Sequence, residues 1–120
     1  MREANEFLEI RSVSAPTVYK AGLVLEEILT NIIKYAFDDR SVHEIRVLLS
    51  LSDTALTVEF VDDGREFNPL SLPEPKLCHS ISDCNEGGLG ILLVRKMSES
   101  VEYRRDQGKN ILTTTLTRLP

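Results

Sequence analysis

Glu27 and Asn31 stand four positions apart in the stretch Leu25 to Phe37, LEEILTNIIKYAF. On a helix, positions i and i+4 share a face, so a carboxylate and a carboxamide point the same way. Their neighbours Ile28, Leu29, Ile32 and Ile33 form an apolar stripe at the 3, 4 spacing of a helix lying against a sheet. An unpaired buried polar group costs about 1–3 kcal/mol, so two polar residues beside such a stripe ask for something to hold. Two further clusters could do chemistry. Asp62-Asp63-Gly64 ends an alternating apolar run, and by itself is a turn signal. Gly87-Gly88-Leu89-Gly90 opens an apolar-striped segment; exposed N–H groups and the helix dipole favour a phosphate there, although tight packing also explains such glycines.

The elements that must position these residues follow from periodicity. Residues 2–12 set Ala4, Phe7, Leu8 and Arg11 on one side of a short amphipathic helix. Ser14 ahead of Ala15 and Pro16 marks the start of a second helix, which carries Glu27 and Asn31 and runs to about Phe37. Asp38, Asp39, Arg40 and Ser41 end it as a polar turn. From Glu44 to Leu51 the apolar period drops to two, and Leu56, Val58 and Phe60 alternate up to Asp62, giving a hairpin turned at Ser52 and Asp53. After Gly64 all periodicity is lost until Gly87, across Pro69, Pro73 and Pro75. An aperiodic segment of more than about 15 residues in so small a domain is usually a functional lid or binding loop. A helix with Leu89, Leu92, Leu93 and Met97 follows, then strands Val101 to Arg105 and Ile111 to Arg118 around a turn at Asp106 to Lys109. Strands in hairpins with helices on one face predict an α+β two-layer sandwich, its mixed sheet mostly antiparallel.

At 120 residues the chain is one domain with room for a real core. A net charge of −5 leaves no broad basic surface, which argues against direct nucleic-acid binding. No apolar run approaches the 18 or so residues that span a bilayer and no signal-peptide profile opens the chain, so a cytoplasmic protein without membrane contact is expected. Cys78 and Cys84 are too close for a disulfide framework, and with His79 they lack the partners that complete a four-ligand metal site.

Taken in order, the three clusters resemble the GHKL ATP-binding fold: an N-box from Glu27 to Asn31, a D-x-G box at Asp62, Asp63 and Gly64, and a glycine box at Gly88 and Gly90, with an ATP lid at about 67–87. Within that superfamily the chain looks most like the small bacterial anti-sigma factor serine-protein kinases, through its size, its EGGLG before the last helix and its closing hairpin. The resemblance spans residues 2–119 and implies a single domain over 1–120. It implies ATP and Mg²⁺ as cofactors, with Asn31 holding the metal and Glu27 acting as general base on a substrate serine. Asp62 would accept the exocyclic N–H of adenine, Gly64 would let the backbone approach the base, and Gly88, Leu89 and Gly90 would bind the phosphate tail. Lys34, one turn beyond Asn31, either neutralises phosphate or is a solvated lysine. The chain departs from the superfamily in having Glu66 where many members carry a second glycine. It also starts in a helix where members usually start in a strand: either the start is truncated or the first strand is absent, and loss of that edge strand would expose backbone donors and acceptors to another chain, so a homodimer is expected.

The implied function is an ATP-dependent protein serine kinase that phosphorylates an anti-sigma factor antagonist and sequesters a sigma factor. The alternative is a nucleotide-binding regulatory module that does not turn over. A histidine-kinase catalytic half ranks third, because His43 and His79 both lie outside any preceding phosphoacceptor helix.

Overall fold

The computed structural model describes residues 2–37, 42–71 and 86–120, with 86–89 described in backbone alone. The 38–41 turn, Cys78, His79, Cys84 and the greater part of the lid segment lie outside the described residues.

The elements are α1 (Arg2–Ile10), α2 (Ala15–Asn31), β1 (Ile45–Leu51), β2 (Ala55–Asp62), α3 (Glu86–Met97), β3 (Ser100–Asp106) and β4 (Lys109–Thr117). A single wide π turn, Ile32–Ala36, continues α2, and a 3₁₀ turn, Pro69–Ser71, interrupts the segment read as aperiodic. Pro16 in the first turn and an extended Ser14 begin α2, as read from the sequence. The Ser14 hydroxyl does not cap the helix; it pairs with Thr17 Oγ1 at 3.1 Å. Thr17 Oγ1 also accepts from the Leu119 N–H at 3.1 Å, so the last strand's exit is tied to the head of α2.

The four strands run in the order β1-β2-β4-β3, and each described pairing is antiparallel. Period-two alternation turns Leu56, Val58 and Phe60 of β2 and Leu112 and Leu116 of β4 toward the helices, where all are buried. They meet Ala21, Val24, Leu25, Ile28 and Ile32 from the α2 side and Ile91 and Val94 of α3. Each such side chain, fully buried, stabilises by about 1.5–3 kcal/mol relative to exposure. The other sheet face is open, with Arg46, Leu48 and Ser50 exposed. At the β3–β4 turn, Gln107 (φ 49°) and Gly108 (φ 76°) both have positive φ, the form whose twist matches a hairpin.

One expectation needs correction. Ile33 does not join the apolar stripe: it is 59% exposed. The inward positions of the π turn are Ile32 and Ala36, four apart, which leaves Ile33 and Lys34 on the outer side.

Candidate functional site

Asn31 is the last residue of α2 and is only 3% exposed. Its Nδ2 donates to the carbonyl of Glu27 at 2.7 Å, which fixes the amide's orientation. The opposite end, Oδ1, is buried with no hydrogen-bond partner among the described residues. A buried amide oxygen left bare costs about 1–3 kcal/mol, and an oxygen donor of this kind is what a hard cation such as Mg²⁺ takes. The residues present therefore fit the metal that the motif implies. A π turn follows Asn31 directly, a distortion frequently found at functional sites.

Glu27, one turn earlier, is half-buried and faces α3. A Cβ placed on Gly90 would collide with its carboxylate, coming within 2.9 Å of Cδ. Gly90 thus leaves the space that the Glu27 carboxylate fills, beside the first turns of α3 where the helix dipole favours an anion. Gly88 and Leu89 belong to the same opening turns. Lys34 is exposed, with Nζ 5.7 Å from the centre of the Tyr35 ring.

Asp62 ends β2 on the core face and is 3% exposed. Its Oδ1 accepts from the Gly64 N–H and from Asn110 Nδ2, each at 2.9 Å. The turn that follows is clamped to the end of the π turn: the Arg65 N–H donates to Ala36 O at 3.0 Å and Arg65 Nε to Tyr35 O at 2.6 Å. Gly64 is required by this clamp. A Cβ there would sit 2.5 Å from the Ala36 carbonyl oxygen and 2.9 Å from Ala36 Cβ. Asp63 turns outward and meets His43 Nδ1 at 3.3 Å, while His43 stacks on Phe37 with ring centres 4.1 Å apart.

Along α2 and its π turn the site therefore has two ends. Glu27 and Gly90 mark one, Ala36, Gly64 and Asp62 the other, and Asn31 lies between them. Nine residues at 1.5 Å each set the ends about 13 Å apart along the axis. One helix acts as the ruler between an acid-and-glycine end and a buried-aspartate end. A small cavity of about 160 Å³ beside the end of β2 is lined by Glu44, Arg46, Val61, Asp62, Asp63 and Lys109, and so touches the buried-aspartate end of the site.

Sequence reading missed Asn110, which the β2–β4 register sets directly opposite Asp62. Its Oδ1 accepts from the Tyr103 hydroxyl (2.6 Å), the Phe67 N–H (3.1 Å) and Arg105 Nη1 (3.1 Å), and its Nδ2 also donates to Arg65 O (2.7 Å). The Arg105 guanidinium further donates to Gly64 O at 2.8 Å. Burial, then the nearby charges of Glu66 and Asp62, push the Tyr103 phenol above its ordinary value against the opposing pull of Arg105, so it stays a donor. The only sequence signal was a polar residue on the inward side of an otherwise apolar strand end.

This fold and motif order define an ATPase domain of the histidine kinase type. Residues 1–116 match the histidine kinase-like ATPase domain family, and the chain belongs to it. It is 29% identical over 102 residues to the serine/threonine-protein kinase BtrW of Bordetella bronchiseptica, covering 85% of this chain and 72% of that protein. Over 93 residues it is 33% identical to blue-light-activated histidine kinase 2 of Erythrobacter litoralis, covering 74% of this chain and 23% of that protein. Over 96 residues it is 24% identical to the serine-protein kinase RsbW of Bacillus velezensis, covering 77% of this chain and 60% of that protein. Among solved structures, the blue-light activated histidine kinase of Erythrobacter litoralis superposes with a TM-score of 0.60 at 24% identity, over 87% of this chain and 31% of that one, a likeness of fold. No helix among the described residues is long and apolar enough to cross a membrane.

Proposed function

We propose that the protein is an ATP-dependent protein serine kinase whose substrate is an anti-sigma factor antagonist and whose second partner is a sigma factor, held when unphosphorylated antagonist is scarce. The observation that carries this reading is the bare, buried Oδ1 of Asn31 one turn from the Glu27 carboxylate. Two serine-kinase relatives and the motif order support the choice of a protein hydroxyl as acceptor.

In this reading Asn31 holds Mg²⁺, which when bound neutralises charge on the phosphate oxygens. Glu27 accepts the proton of the serine hydroxyl while that oxygen forms its bond to the terminal phosphorus of ATP and the bond to the bridging oxygen breaks, releasing ADP. The first turns of α3, at Gly88, Leu89 and Gly90, receive the phosphate tail on backbone N–H groups, and Lys34 contributes positive charge from the outer side. Asp62 accepts the exocyclic amine of adenine. A single domain spans the chain, with 67–87 as the lid over this site.

The test is transfer of labelled phosphate from ATP to a purified antagonist-type domain. Glu27→Ala should abolish transfer and leave ATP affinity within about twofold of the wild type, since the carboxylate acts on the acceptor. An equal collapse of ATP binding removes the assignment of Glu27 as base, and binding without any transfer makes the domain a regulatory module. The 33% identity to a histidine kinase favours a second reading, the ATPase part of a longer histidine kinase. Acid-labile label on a histidine, in place of acid-stable label on serine, would establish it.

A further inference from the structure

We propose that Asn110 is a positioning residue for base recognition: it holds the Asp62 carboxylate and the root of the lid segment in one network, and touches no nucleotide itself. This rests on the reading of Asp62 as the acceptor for the adenine amine.

An asparagine side chain offers two N–H donors and an oxygen with two lone pairs. Asn110 uses all of them. Both Nδ2 protons go to Asp62 Oδ1 and Arg65 O, and Oδ1 already serves three donors from Tyr103, Phe67 and Arg105. Nothing remains to bind a ligand. What the network does is fix one oxygen of Asp62 from two directions, the Gly64 N–H and Asn110 Nδ2, so that the carboxylate cannot rotate. The Gly64 carbonyl, Arg65 carbonyl and Phe67 N–H are pinned to the same β3–β4 hairpin, so the chain leaving Asp62 has a set direction as it enters the lid segment.

The residue type is demanding. Aspartate would place a second carboxylate within hydrogen-bond reach of Asp62, and two such charges cannot both stay ionised. A hydroxyl has one proton and cannot serve both Asp62 and the Arg65 carbonyl.

Calorimetric titration of ATP, GTP and inorganic tripolyphosphate into wild type and Asn110→Ala tests this. The wild type should prefer ATP to GTP. The variant should lose about tenfold or more of that preference, the weight of a hydrogen bond to a charged group, with tripolyphosphate affinity changed by less than about twofold. An intact preference in a variant that still melts cooperatively overturns the proposal. So does an equal loss of ATP and tripolyphosphate, which is the mark of general damage. If Asn110→Ala does not fold, Tyr103→Phe replaces it, since it removes the shortest bond into Asn110 Oδ1 without touching Asp62. A several-fold loss of preference is then expected, and no change overturns the proposal. A wild type indifferent to the base removes the reading of Asp62, and the proposal with it, before any variant is made.

Discussion

Asn31 has one polar end satisfied and the other bare, and the two ends make opposite contributions to stability. Truncation to alanine loses the bond to the Glu27 carbonyl, about 0.5–1.5 kcal/mol, and removes a buried bare oxygen that costs about 1–3 kcal/mol. The effects offset, so Asn31→Ala should melt within a few degrees of wild type without ligand. Its function should not survive so well. Mg²⁺ should tighten ATP binding to the wild type and leave the variant's affinity unchanged, as titrations with and without the metal will show. If Mg²⁺ strengthens both alike, the cation is held elsewhere. Stability kept and metal response lost is the pattern expected where a residue is retained for its ligand.

Among the elements, α2 with its π turn matters most, because both ends of the site are registered on it. At its far end the chain approaches so closely that only glycine fits. Gly64→Ala would drive a methyl into the Ala36 carbonyl and strain the Arg65–Ala36 and Gly64–Asp62 bonds together. The expected cost is about 1–3 kcal/mol, typical of overpacking, visible as a lowered midpoint in chemical denaturation. A midpoint equal to wild type would show that the clamp gives way easily. The helices and strands were legible because each carries a clean period, 3.6 in α2 and two in β1 and β2. The π turn was not, since IIKYA continues the apolar character of the helix without a break, and only the exposure of Ile33 reveals it. Glu27, Asn31 and Asp62 stood out through local spacing. Asn110 did not, because its partners lie up to 48 residues away and no local pattern reports a cross-strand contact. Gly64 was noticed for a different reason, approach to the base, whereas its steric need comes from Ala36.

For the molecule as a whole, β1 is an edge strand, paired among the described strands only with β2. Beside it α1, α2 and β1 enclose a groove of about 350 Å³ lined by Ala4, Phe7, Leu25, Leu29, Val47 and Leu49. An unpaired strand edge next to apolar side chains is a surface that a second chain can extend, and a homodimer is the expected state. Sedimentation at high micromolar concentration should give twice the 13.5 kDa chain mass. A monomer there would count against it.

The far side of the same corner carries a different fastening. Thr17 holds the Leu119 N–H, and Arg118 reaches both the Arg11 carbonyl at 3.2 Å and the Ser52 carbonyl at 3.0 Å. The end of α1, the β1–β2 turn and the exit of β4 are therefore fastened together beside the head of α2. The helix that carries Glu27 and Asn31 is thus moored at its head to the strand end that closes the sheet, so a shift of one must be followed by the other.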